Sequence, residues 1–317
     1  MDDLLSNPAV RGRDIQTIHV PPVNPDQVPA GPPPPEASLA GAEQGSVFGG
    51  GASLFRVFPP VAPWAAQQPS LEPNEKLRLS ATAVEAYQDC PLKFKFSHFL
   101  KVPTGPQAAL TFGNIMHQCV RYYFELRRTG VPTFKAIQEF FESAWKDVGF
   151  EDAYQEQAYK KAGLEQLRAF VERHNALPAP GDEISMEEDF ACEVGDVTLE
   201  GRIDLVRPLN EGGAELIDYK TGRPRSQKDA DESLQLSVYA LAAREFLQLN
   251  PQRLTFYNLT SNEPVSSART LQDLEKLKQE IRAVAERIRQ KLFPAQPGFV
   301  CRYCNYRMIC PAHEKMF

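Results

Sequence analysis

Apolar residues fall at helical spacing from about residue 76, alternate with polar ones from about residue 183, and return to helical spacing near the C-terminus. In "LRLSATAVEAYQDCPLKF" Ser80 is a helix N-cap, Glu85 and Tyr87 lie inside the helix, and it ends near Cys90 and Pro91. A second helix, about 108 to 128, puts Phe112, Met116, Cys119, Val120, Tyr123 and Phe124 on one face, and Gly130 closes it. A third helical region carries Phe134, Ile137, Phe140, Phe141 and Trp145 and runs less regularly to about Asn175. Alternation then marks "EISMEEDFACEV" and "DVTLEGRIDLV" as strands joined by a hairpin at Gly195-Asp196. "ELIDYK" is a third strand, followed by a helix over about 233 to 248 and the strand "RLTFYNLT". A last helix has Leu271, Leu274, Leu277, Ile281, Val284, Ile288 and Leu292 as its stripe, and "FPAQPG" ends it. The order predicts an α/β fold: a mixed sheet with an antiparallel meander, flanked by helices.

Composition divides the 317 residues in two. Residues 1–75 hold 14 of the 27 prolines and the cluster "FGGGAS", with no period, which predicts a disordered Pro/Gly-rich arm. Within it "SLFRVFPPVAPW", residues 53–64, is an apolar island suited to docking on a partner. The arm carries 3 basic and 8 acidic residues, so nearly all of the net charge of −6 lies there and residues 76–317 are close to neutral. Nucleic-acid binding therefore rests on local clusters. Two stand out: "KFKFSHFLK", basic with interleaved phenylalanines, and "KTGRPRSQK". "MDDLLSNPAV" lacks the features of a signal peptide and no apolar run approaches membrane length, so a cytoplasmic protein is expected. Its six cysteines are then thiols or metal ligands. No Gly-rich loop ending in Gly-Lys-Ser/Thr marks an NTP motor.

The chemistry gathers around "ELIDYKTG". Asp218 and Lys220 lie two apart on a strand and point the same way, which by itself describes a surface ion pair of little energetic value. Asp204, in "GRIDLV", changes this reading. On adjacent antiparallel strands its carboxylate converges with that of Asp218, and two carboxylates on a rigid sheet suit a hard divalent cation. Lys220 beside them can orient water or steady charge on a phosphate.

This pattern resembles the PD-(D/E)xK nuclease superfamily, and within it the RecB-type exonucleases, including AddB-like and CRISPR-associated members with an iron-sulfur staple. The resemblance spans about residues 76–317 and implies a restriction-endonuclease-like core. "TFGNIMHQCV" is similar to the family's Gly-x3-His helix, which implies His117 as a metal ligand. "GRIDLV" implies Asp204 as the first acidic ligand, with Ile203 where the motif has proline, and "IDYKTG" implies Asp218 and Lys220. "QLSVY" resembles the following Gln-x3-Tyr helix, whose Gln235 and Tyr239 lie one turn apart and would reach the active site or the DNA. The resemblance implies Mg²⁺ or Mn²⁺ on His117, Asp204, Asp218 and the Tyr219 carbonyl. It also implies exonuclease action on DNA, single-stranded by preference, in repair, recombination or defence, beside a helicase partner. The alternative is a catalytically silent DNA-binding scaffold of a helicase complex.

The cysteines form a separate group. "CRYCNYRMIC" spaces Cys301, Cys304 and Cys310 as ligands and needs a fourth. Cys90 stands where the staple nucleases carry their upstream cysteine, and one cysteine plus a cluster of three suits a [4Fe-4S] cubane more than the paired ligands of zinc. Such a cluster would join the two ends of the domain. Cys119 and Cys192 read as small core hydrophobes.

Overall fold

The computed structural model describes residues 76–177, 185–209 and 212–312. The expected arm and its apolar island lie outside these residues. Ser80 caps α1 (Ala81–Asp89) by accepting from Ala83 N. The chain continues through α2 (Pro91–Phe94), with proline at the first turn where its missing N–H costs nothing, and a π-helical turn (Lys95–Phe99). Next come α3 (Ala108–Arg127), α4 (Phe134–Ala144) and α5 (Ala153–Asn175). The third helical region is thus two helices. Asp152 starts the second by accepting from Gln155 N, and the irregular apolar spacing was the trace of this break.

The sheet has six strands: β1 (Leu77–Leu79), β2 (Ser185–Val194), β3 (Val197–Pro208), β4 (Gly213–Lys220), β5 (Asn250–Asn258) and β6 (Glu263–Ser267). β2, β3 and β4 form the expected antiparallel meander, with Gly195 at φ +67 in the β2–β3 turn, where glycine is least strained. α6 (Gln227–Asp231) and α7 (Leu234–Glu245) carry the chain over to β5, which pairs parallel to β4. β6 returns antiparallel on β5, and β1 pairs parallel to β3. The sequence reading missed both of these: three residues show no period, and "EPVSS" is polar with a proline, as an edge strand allows.

One face of the sheet is covered by α1, α7 and α8 (Leu271–Arg289), whose apolar residues meet Leu216, Leu254 and Phe256. The other is covered by α3, α4 and α5 against Leu205, Ile217, Tyr219 and Tyr257. α5 comes so close to its neighbours that a Cβ on Gly163 would lie 2.9 Å from ring atoms of Phe112 and Phe141. Gly163→Val is expected to cost about 1–3 kcal/mol by overpacking, read from urea unfolding. Among the described residues no helix is long and apolar enough to cross a membrane.

His174, at the end of α5, is stacked on Phe170 with centroids 3.9 Å apart, and its Nδ1 lies 2.9 Å from Phe170 O. Burial, reinforced by the charges of Arg173, Arg207 and Arg127, pushes its pKa down to about 4, against the backbone bond that favours the charged ring. Below pH 6.5 the unfolded chain binds a proton that the folded one refuses, so stability falls as pH drops from about 6.5 to about 4. The loss at the acid end is about 3 kcal/mol. His174→Gln should flatten that part of a urea-midpoint profile; an unchanged slope would remove His174 as its cause.

Candidate active site

β3 binds β2 along one edge but shares its other edge between two partners. β1 pairs with residues 197–199 and β4 with residues 205–208. The β3–β4 ladder stops at Leu205–Ile217, so Asp204 and Asp218 stand one step beyond it, at the point where the strands part. Asp204 bridges the gap: its Oδ2 accepts from Tyr219 N at 2.8 Å, a side chain replacing the next rung.

A distortion on the far side of β3 places that carboxylate. Glu187, opposite Asp204, has φ +52 and is the one position skipped in the β2–β3 register. On one side of it Phe190 and Ile203 face the core under α1, α7 and α8; on the other Met186 and Leu205 face the core under α3 to α5. The strand pair rolls over at Asp204, which therefore belongs to neither face. Arg121, one turn beyond His117 on α3, donates to Glu187 Oε2 at 2.8 Å and braces the roll. His117 Nδ1 lies 3.4 Å from Asp204 Oδ2. α3 passes close to the end of β4, where a Cβ on Gly113 would stand 3.4 Å from Thr221 Oγ1.

Asp218 and Lys220 face α7. Asp218 is 2% exposed, and its Oδ1 accepts from Gln235 Nε2 at 2.7 Å and from the Tyr239 hydroxyl at 3.1 Å. Gln235 also donates to the Tyr239 hydroxyl at 2.9 Å, and its Oε1 accepts from Lys220 Nζ at 2.8 Å. One turn of helix thus ties Asp218 and Lys220 together. Lys220 Nζ also lies 2.7 Å from Asp218 Oδ2 and 5.1 Å from the centre of the Phe256 ring. Burial raises the Asp218 carboxyl above the usual range and Asp204 adds to the rise, against Lys220 and His117. Burial pulls His117 down, but Asp204, by hydrogen bond and charge, and Asp218 leave it above its ordinary value despite Lys220.

Asp218 Oδ2 is buried and, although within ion-pair reach of Lys220, makes no hydrogen bond. An unbonded carboxylate oxygen beside a second carboxylate and an imidazole is a donor set that fits a divalent cation. Among the described residues, no three His, Cys, Asp or Glu side chains are drawn into a cation-holding arrangement. Nitrogens already face the carboxylates: Lys220 beside Asp218, and His117 and the Tyr219 N–H beside Asp204.

Glu85 is a neighbour to which sequence reasoning assigned no role. Its side chain reaches the surface of α1, yet partial burial raises its carboxyl, with Asp89 and Asp218 raising it and Lys220 and Arg225 opposing. No motif marks it, since the approach of α1 to β4 is tertiary. The two basic segments fare differently. Arg223, Arg225 and Lys228 are exposed directly after Lys220. In "KFKFSHFLK", however, Phe94 and Phe96 are buried, and so is Lys95. Phe94 and Phe96 are therefore unavailable to stack on bases, because the helical turns rotate these rings into the core.

Cys119 and Cys192 are buried, and burial pushes their thiols up to about 12 and about 11. The other four cysteines are free and half-buried, and Cys90, Cys301 and Cys304 lie near enough to Cys310 for their charges to act on it. The chain after α8 returns to α2: Leu92 N donates to Pro294 O at 3.3 Å and Gln296 N to Cys90 Sγ at 3.4 Å. Two 3₁₀ turns (Phe299–Tyr303 and Arg307–Ile309) then carry Cys301, Cys304 and Cys310, and Gly298 N donates to Cys301 Sγ at 3.4 Å. Tyr306 packs on Phe96 at 5.5 Å. Burial raises the Cys310 thiol, and Cys90, Cys304 and Cys301 raise it further, against a backbone hydrogen bond.

No curated protein matches this chain. Among solved structures, SSO0001 is 17% identical, with 77% of this chain and 89% of that one covered and a TM-score of 0.34. A protein from Eubacterium rectale that carries the provisional name exonuclease is 11% identical, with 72% and 88% covered and a TM-score of 0.43. The sequence profile of one family runs from β1 past the last cysteine, residues 78–311, and takes in the whole of this site: the chain belongs to the PD-(D/E)XK nuclease superfamily.

Proposed function

We propose that this chain is a metal-dependent deoxyribonuclease that hydrolyses phosphodiester bonds from the ends of single-stranded DNA, in repair, recombination or defence. A helicase is the partner that supplies the strand. The observation that carries the reading is the meeting of His117, Asp204, Asp218 and Lys220 where β3 and β4 part. His117, Asp204, Asp218 and the Tyr219 carbonyl would hold Mg²⁺ or Mn²⁺, which would supply Lewis-acid charge to the phosphate and make water a better nucleophile. Tyr219 N holds Asp204 in place, and Gln235 and Tyr239 hold Asp218, so neither carboxylate reorganises as the reaction proceeds. Water oxygen bonds to phosphorus and the bridging P–O bond breaks, leaving a phosphate end and a hydroxyl end. Gln235 takes one of the three Lys220 ammonium hydrogens and Asp218 fixes its position, so the remaining donors face the charge building on the phosphate oxygens. Arg223, Arg225 and Lys228 attract the strand toward Lys220.

Cys90, Cys301, Cys304 and Cys310 hold a [4Fe-4S] cluster in this reading. The nearness of the four thiols and the two N–H···S bonds support it. DNA as substrate and thiolates as ligands both suit the cytoplasm. The test is cleavage of end-labelled single-stranded DNA by anaerobically purified protein with Mg²⁺ or Mn²⁺. Lys220→Ala is expected to slow it about 10²–10³-fold. Absence of cutting by folded protein would sink the catalytic reading and favour a DNA-binding scaffold.

A further inference from the structure

The sheet face turned away from Asp218 and Lys220 holds a cavity of about 360 Å³, between β3 to β6 and the C-terminal ends of α3 and α5. Four arginines line it: Arg127 from α3, Arg173 from α5, Arg207 from β3 and Arg253 from β5. Among the described residues a single lining carboxylate, Glu215, opposes them. Glu215 is already satisfied, since it pairs with Arg207, lies 3.9 Å from Arg253 and accepts from Thr255 Oγ1 at 2.6 Å. His174 in the wall is held neutral, as described above. The described lining of the cavity is therefore strongly cationic.

Part of that cationic capacity has no acceptor among the described residues. Arg127 is 8% exposed; its Nη2 donates to Leu177 O at 3.0 Å, but its Nε is buried without a hydrogen-bond partner among the described residues. Arg173 is exposed at the rim and makes no ion pair or hydrogen bond with another described residue. Burying a guanidinium donor without an acceptor is costly, so the Arg127 Nε points to an anion as its partner. Guanidinium groups match phosphate oxygens in pairs. The volume, within the range of roughly 300–1,000 Å³ common to ligand pockets, suits a nucleotide-sized molecule. The rest of the wall includes the aromatic side chains of Tyr219, Tyr257 and Phe124, against which a sugar or base can pack.

We propose that this cavity binds a small phosphate-bearing anion of nucleotide size, at a site separate from the catalytic carboxylates. It stands whether or not the chain cuts DNA. Its wall is nevertheless built from residues next to the active site: Leu205, Ile217 and Tyr219 adjoin Asp204, Asp218 and Lys220 in sequence.

The test is isothermal titration of the full chain without divalent metal, using inorganic phosphate, thymidine 5′-monophosphate and thymidine. The monophosphate is expected to bind, thymidine is not, and Arg173→Gln and Arg253→Gln should each weaken binding about tenfold. Both side chains are largely exposed, so thermal unfolding should stay near wild type and report that the variants fold. Phosphate binding as tightly as the monophosphate supports the site with phosphate alone as its ligand, and tighter monophosphate binding makes a nucleotide the ligand. Failure of all three probes to bind below about 1 mM, or undiminished binding in both variants, overturns the proposal.

Discussion

Replacing Asp218 with asparagine is expected to lower the rate of single-stranded DNA cleavage by at least about 10³-fold. The amide oxygen can still accept from Gln235 and Tyr239, so the hydrogen-bonded end of the side chain survives. What disappears is the negative charge on Oδ2, the oxygen that makes no hydrogen bond and faces the Lys220 ammonium. Lys220, partly exposed, can swing away from the new amide, so the stability loss should stay within about 1–3 kcal/mol. Parallel measurements of cleavage and urea unfolding separate the two effects. A variant that cuts within tenfold of wild type would remove Asp218 from the reaction.

Cys301→Ala should yield a colourless protein whose unfolding free energy is lower by about 5 kcal/mol, the loop-closure value for a cross-link spanning more than 200 residues. The magnitude comes from the distance along the chain: the proposed link to Cys90 would restrict the unfolded ensemble far more than a local one would. Cys119→Ala is the control, since that thiol is buried in the core under α3 to α5 and should leave the colour intact. Iron and sulfide content, visible absorbance and urea unfolding make the comparison. A brown Cys301→Ala protein of unchanged stability would refute the ligand assignment.

Much of the site was legible because its elements are local. Asp204 and Asp218 could be set opposite one another once "DVTLEGRIDLV" and "ELIDYK" were read as neighbouring strands, and the β3–β4 register, carried one step past its last pair, sets them opposite. Ser80, Gly195 and the stripe of α8 likewise act within a turn or two of chain. The failures were of two kinds. β1 and β6 are too short or too polar to show a period, and each exists because a longer strand offers it an edge. Phe94 and Phe96 were misplaced because a basic run with aromatic residues looks alike on a surface and over a core.

By itself the sequence determined where most of the longer helices and strands of residues 76–312 lie, and it singled out the side chains and cysteines proposed to carry chemistry. Capping, periodicity and motif spacing act over a few residues and need no partner. Only the tertiary structure decided that the sheet rolls over at Glu187 and Asp204, and that Tyr219 N holds the Asp204 carboxylate across the gap. It alone brought Glu85 toward Lys220 and gathered four arginines from four elements around one cavity. These features depend on where strands separate and how helices pack on them, and burial with its electrostatic consequences exists only once residues far apart in the chain have met.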